Sequence, residues 1–106
     1  MLVTDDALLA GRDLVEVARS AERGGVTAVQ LRLKRATARD LVSATNALVA
    51  TLRIPVLVND RLDAALAGGA AGVHLGPDDL AISLARRIAP PGFIVGASAG
   101  IRRLGI

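Results

Sequence analysis

The chain has 106 residues, 52% of them hydrophobic, which is enough for one domain with one core. It has one Phe and neither Trp nor Tyr, so nucleic-acid binding through aromatic stacking platforms is disfavoured. Its 13 basic and 10 acidic residues give a net charge of +3 and are spread along the chain without a basic run, so we expect small anionic ligands rather than nucleic acid.

The absence of Cys excludes disulfides, a thiol nucleophile and a thiolate metal site. Charged residues interrupt the amino-terminal part of the chain, which does not fit a secretory signal, and the uncharged stretches are too short for a membrane span. We therefore expect a cytoplasmic protein that does not enter the membrane.

Five short apolar segments are predicted as β-strands. Segment 26–33 alternates with a period of two, and the others are brief apolar runs bounded by polar, Gly or Pro residues. The predicted strands are 1–4, 26–33, 55–58, 71–75 and 93–96.

Four helices are predicted between these strands. The first ends at the glycine pair 24–25, and the second begins at 37–40, which resembles a capping box. The third closes at 68–69, and the fourth begins after Pro77 and ends at 90–92. Strands that alternate with helices predict one α/β domain, 1–106, with a parallel sheet and right-handed crossovers. The short repeat, roughly 20 to 25 residues, is more typical of a barrel than of an open sheet.

Gln30, Arg32 and Lys34 alternate along the predicted second strand and form its polar parity. In a barrel this parity points towards the axis, and near the carboxyl end of the strand Arg32 and Lys34 would hold an anion. The alternative is an edge strand with a solvated charged face, and the spacing alone leaves both open.

Carboxylates follow the next two strands. Asn59 and Asp60 end the third strand and Asp79 follows the fourth, so two carboxylates converge at one edge of the sheet. Mg²⁺ is typically held by one or two carboxylates together with substrate phosphates and water. Helix capping by Asp60, and by Asp78 or Asp79, is the alternative.

Two further features are weaker. His74 is the only His and stands between two apolar residues of a strand, which favours a packing role over a metal-binding one. The small residues 96–100, which include Ser98, provide backbone amides and a hydroxyl for a phosphate, although the same residues also occur in ordinary turns.

Taken together, these segments resemble the thiamine phosphate synthase family in order and spacing. The resemblance runs from Leu2 to the end of the chain and is specific as a combination. The segments that carry it are Val-Gln-Leu-Arg-Leu-Lys at 29–34, Val-Asn-Asp-Arg at 58–61, Gly-Val-His-Leu-Gly-Pro-Asp-Asp at 72–79 and Gly-Ala-Ser-Ala at 96–99.

The resemblance implies a partial (β/α)₈ barrel of about five parallel strands with four helices. It implies an enzyme that joins hydroxymethylpyrimidine diphosphate to thiazole phosphate, giving thiamine phosphate and diphosphate. Arg32 and Lys34 are then the catalytic cations. The implied diphosphate-binding residues are Gln30, Arg32, Lys34, Asn59 and Ser98, and the implied Mg²⁺ ligands are Asp60 and Asp79.

The sequence also departs from the family pattern. Pro77 stands where the family usually has Gln, and Gly100 where a His commonly follows. The resemblance covers about half of such an enzyme. We therefore expect the strands and loops that bind the thiazole phosphate to be missing. Without them, the activity of this short chain is in doubt.

Two other functions stay open at this point. One is a thiazole tautomerase-like isomerase. Gly100 argues against it, and the synthase is favoured by four retained residues, Arg32, Lys34, Asp60 and Asp79. The other is a non-catalytic half-barrel that binds phosphates or a partner chain. Because a five-stranded piece of a barrel exposes strand edges and an inner face, we expect a homo-oligomer.

Overall fold

The computed structural model describes residues 1–4, 13–76, 82–97 and 102–104. Within them, strands and helices alternate from the first strand to the fifth, and a short sixth strand follows. The elements are β1 (Leu2–Thr4), α1 (Leu14–Arg23), β2 (Val29–Leu31), α2 (Ala38–Thr51), β3 (Val56–Asn59), α3 (Leu62–Gly68), β4 (Gly72–Leu75), α4 (Ile82–Ile88), β5 (Ile94–Ala97) and β6 (Arg102–Leu104).

The strands form one sheet in the order β1-β2-β3-β4-β5-β6. The first five are parallel, which confirms the predicted arrangement of five parallel strands with four helices. The sixth strand is antiparallel to β5, with Val95 opposite Leu104. It was not predicted, because a three-residue Arg-Arg-Leu segment carries no alternating apolar pattern.

The second strand is shorter than its sequence pattern predicts. Before it, the N–H of Val26 donates to the carbonyl of Ala21 at 3.1 Å, so Val26 bonds to the last turn of α1 and not to a neighbouring strand. After it, the N–H of Arg32 donates to the hydroxyl of Thr4 at 3.3 Å. These bonds limit β2 to Val29–Leu31, so Arg32 and Lys34 lie beyond the strand rather than in it.

Local capping residues set the predicted helix ends. Thr37 is the N-cap of α2 and its hydroxyl accepts from the N–H of Asp40 at 3.1 Å. Gly69 ends α3 in the left-handed conformation, with φ of 77°. Ile88 ends α4 just before Pro90, whereas the predicted start of this helix, after Pro77, lies outside the described residues.

The apolar core lies on one face of the sheet. Val29, Leu31, Val58 and Val73 are fully buried there and form one cluster with helix residues such as Leu48. Side chains of the other parity point away from the helices. None of the helices in these ranges is long and apolar enough to cross a membrane.

Gly72 gives a direct test of how closely β4 and β5 pack. A Cβ at Gly72 would collide with the carbonyl oxygen of Ile94 and lie 2.6 Å from the Cβ of Ile94. Because the obstacle is backbone in a neighbouring strand, we expect Gly72→Ala to lower the free energy of unfolding by about 2–3 kcal/mol in urea titrations.

Gly24→Ala is the matched control for Gly72→Ala. Gly24 has φ of −79°, and an added Cβ would lie 3.4 Å from the carbonyl oxygen of Ala21, an ordinary contact. Equal unfolding midpoints for the two variants would contradict the close strand packing around Gly72.

Candidate functional site

A cleft of about 430 Å³ lies at the carboxyl-end side of β1 to β4. Most of the side chains that line it are polar or charged, in contrast to the apolar face that meets the helices. The lining residues are Val3, Gln30, Arg32, Asn59, Asp60, His74 and Gly76.

The parallel register brings these residues together. Val3 lies opposite Gln30 in the β1–β2 ladder, and Asn59 lies opposite His74 in the β3–β4 ladder. Gln30 lies opposite Leu57, so Asn59 shares the face of Gln30 one step closer to the carboxyl end. The cleft is therefore the polar face of the sheet at its carboxyl edge.

A hydrogen bond joins the two amide side chains of the cleft. Nε2 of Gln30 donates to Oδ1 of Asn59 at 2.7 Å, and Gln30 is only 8% exposed. With its oxygen accepting from Gln30, Asn59 presents its Nδ2 group as the part of the side chain able to donate to an anion. The bond also links β2 and β3 on the cleft face.

Asp60 has an unusual backbone conformation for a residue with a side chain. Its φ is 70°, in the left-handed region. Its N–H donates to the carbonyl of His74 at 2.7 Å, which holds the residue against β4. Arg61, not Asp60, is the N-cap residue of α3, and its side chain makes no capping bond.

Arg61 is engaged in an ion pair with Asp63. Its guanidinium donates to both carboxylate oxygens of Asp63, at 3.0 and 2.8 Å. These hydrogen bonds hold the pKa of the Asp63 carboxyl below its ordinary value. Arg61 does not line the cleft, and among the described residues that do, Arg32 is the cation of fixed charge.

The structure brings four predicted site residues together and separates others. Gln30, Arg32, Asn59 and Asp60 share the cleft, whereas Lys34 is exposed in the turn after β2 and does not line it. Asp79 and Ser98 lie outside the described residues. In the part of the chain that is described, no cluster of three or more His, Asp or Glu side chains could hold a metal ion.

His74 belongs to the cleft, although its sequence context favoured a packing role. It is only partly buried and lines the cleft beside Asn59. A Cβ at Gly96 would lie 3.3 Å from its Nδ1, so Gly96 leaves room for the imidazole. The sequence did contain a signal for this placement. His74 stands between two apolar residues of its strand, as Gln30 does, and in both strands those neighbours are buried while the residue between them faces the cleft.

The backbone of Asp60 predicts an uncommon mutational order. Glycine adopts the left-handed region without steric cost, whereas alanine does not. We expect Asp60→Gly to be more stable than Asp60→Ala by about 1 kcal/mol in urea unfolding. Greater stability of Asp60→Ala would show that position 60 does not hold this conformation in solution.

Comparison with known proteins agrees with the geometry. The family model described as thiamine monophosphate synthase matches residues 1–103. The thiamine-phosphate synthase of Methanoculleus marisnigri is 49% identical over 102 residues, covering 93% of this chain and 48% of the relative. That of Azorhizobium caulinodans is 50% identical over 102 residues, with the same coverage of 93% and 48%.

A solved structure is also similar. Thiamine phosphate pyrophosphorylase from Pyrococcus furiosus superimposes with a TM-score of 0.79 at 40% identity, covering 91% of this chain and 48% of that one. This similarity confirms the prediction of a partial (β/α)₈ barrel. The chain spans about half the length of the relatives it matches.

Proposed function

The chain belongs to the thiamine monophosphate synthase family, and on that premise we propose that it serves thiamine biosynthesis as a transferase. The reaction joins hydroxymethylpyrimidine diphosphate to thiazole phosphate and releases diphosphate. The observation that carries the proposal is the cleft in which Gln30, Arg32, Asn59 and Asp60 converge. We place the reaction in the cytoplasm, in keeping with the Cys-free composition.

The diphosphate is the group that the cleft residues are suited to hold. When the bond between the pyrimidine methylene and the diphosphate breaks, negative charge grows on the departing oxygens, and fixed donors stabilise it. Arg32 supplies a permanent charge with paired N–H donors, and Gln30 and Asn59 supply amide groups. The thiazole nitrogen then attacks the methylene carbon, so the protein acts mainly by positioning and electrostatics.

Two further predicted residues complete the anion site in this proposal. Lys34 lies in the turn two residues beyond Arg32, and its long side chain would reach the same diphosphate from the rim. Ser98 follows β5, whose residue Gly96 lies opposite His74 in the sheet, and its hydroxyl would donate to the diphosphate.

The residues fit Mg²⁺ as the metal of this site. Asp60 places a carboxylate at the rim of a polar cleft, and Asp79 follows the neighbouring strand β4. Two carboxylates together with phosphate oxygens and water are the ligands that Mg²⁺ prefers. When bound, the ion would supply positive charge at the diphosphate oxygens. Asp60 and Asp79 are the residues proposed to hold it.

Binding of inorganic diphosphate in the presence of Mg²⁺ tests the site by isothermal titration calorimetry. We expect Arg32→Ala to weaken binding about 10- to 100-fold, because it removes charge-assisted hydrogen bonds. We expect Asp60→Asn to remove the dependence of binding on Mg²⁺. Arg23→Ala and Asp63→Asn are the matched controls, since Arg23 bonds Ser20, Asp63 bonds Arg61, and neither control residue lines the cleft.

Turnover of the two precursors with Mg²⁺ tests whether this chain carries out the whole transferase reaction or only binds diphosphate. Thiamine phosphate formed by the 106-residue chain, and lost in Arg32→Ala, would support the full transferase. Diphosphate binding without product would restrict this chain to the diphosphate half of the reaction. An absence of Mg²⁺-dependent diphosphate binding would contradict the proposal.

We also propose that the protein is a homo-oligomer. Within the described sheet β1 is an edge strand, and Val3 on its cleft face is 44% exposed. An unpaired edge strand with an exposed apolar side chain favours association between copies. We expect sedimentation at micromolar concentration to show a dimer or larger species, and Val3→Lys to reduce it. A monodisperse monomer would contradict this.

A further inference from the structure

Thr4 is a buried polar residue to which neither the sequence nor the comparisons assign a role. It is the last residue of β1 and is fully buried, with 0% exposure. Its hydroxyl oxygen accepts a hydrogen bond from the backbone N–H of Arg32 at 3.3 Å. A buried hydroxyl on one strand is thus connected to the residue that brings the fixed positive charge into the cleft.

The bond between Thr4 and Arg32 lies where β1 and β2 end. Thr4 lies opposite Leu31, and these residues are the last of their strands. The N–H of Arg32 is the first amide beyond the paired segment of β2, and the Thr4 hydroxyl accepts from it there. Because a β-branched side chain has few χ1 rotamers, the acceptor is held in a defined place. The Thr4 hydroxyl therefore contacts the backbone at the point where β2 leaves the sheet.

We propose that Thr4 is a positioning residue for Arg32. A guanidinium makes two parallel bonds to a phosphate only when its orientation fits, and small displacements of a charged group weaken such contacts strongly. Thr4 holds the backbone from which the Arg32 side chain enters the cleft. This inference rests on the proposed function for its ligand, which is diphosphate.

Thr4→Val is the central variant, since it replaces the hydroxyl with a methyl group of similar size. We expect it to weaken the binding of inorganic diphosphate with Mg²⁺ about three- to tenfold, as expected for one lost hydrogen bond. Thr4→Ser keeps the acceptor and should bind within about twofold of the parent. Thr4→Ala removes the acceptor in a second way and should match Thr4→Val.

Thr45→Val is the matched control for loss of stability. Thr45 is also fully buried, and its hydroxyl donates to the carbonyl of Leu41 at 2.7 Å within α2. The same substitution there removes one buried hydrogen bond and leaves the cleft untouched. We expect Thr45→Val to bind diphosphate as the parent does.

A double variant separates positioning from any other effect. If Thr4 acts through Arg32, Thr4→Val should cause no further loss of diphosphate affinity when Arg32 is already replaced by Ala. An equal loss in both backgrounds would overturn the proposal. Parent-like affinity in Thr4→Val would overturn it as well.

Hydrogen exchange of the Arg32 amide tests the role of Thr4 without relying on diphosphate binding. If the parent chain binds no diphosphate, the proposed function fails, and the role of Thr4 is then decided by amide exchange alone. We expect the Arg32 N–H to exchange faster in Thr4→Val while that of Leu31 is unchanged. Unchanged exchange at Arg32 would overturn the inference whether or not the chain binds diphosphate.

Discussion

The parallel register of β1 to β5 is the constraint on which both the core and the cleft depend. Because the five strands run in one direction, their carboxyl ends meet at one edge of the sheet. Because side chains alternate, Val29 and Leu31 enter the core while Gln30 between them faces the cleft. A slip of one residue would exchange the two faces, so burial of the apolar face also secures the site.

Local signals in the sequence predict the helices well. The hydroxyl of Thr37 and the conformational freedom of Gly69 act within a few residues, so they can be read without knowledge of the fold. The length of β2 could not be read in this way. Its polar and apolar residues continue to alternate up to Lys34, but the strand ends where its hydrogen-bond partners end, and those partners lie on β1 and β3.

The same difference between local signals and contacts with other strands explains which residues of the candidate site were predicted. Gln30 and Arg32 were predicted from the polar parity of the second strand, and Asn59 and Asp60 because they end the third. His74 was missed as a lining residue because one His between apolar neighbours is compatible with either face until the register is known.

Other long-range contacts of the fold leave no local signal. The carboxylate of Glu22 accepts from the N–H groups of Arg53 and Ile54 at 2.7 and 3.1 Å, which ties the end of α1 to the segment before β3. These amides are more than thirty residues away along the chain, so no pattern around Glu22 predicts them.

Arg32 and Asp60 share one structural principle. Each is the first residue beyond its strand, and each donates its backbone N–H to a neighbouring strand: Arg32 to Thr4 on β1, and Asp60 to His74 on β4. The sheet thus holds the backbone of both charged residues. A substitution that removes either charge leaves this anchoring bond available, whereas a change in a partner side chain such as that of Thr4 alters the placement and keeps the charge. Charge and placement are therefore separable properties of this cleft, since different atoms provide them.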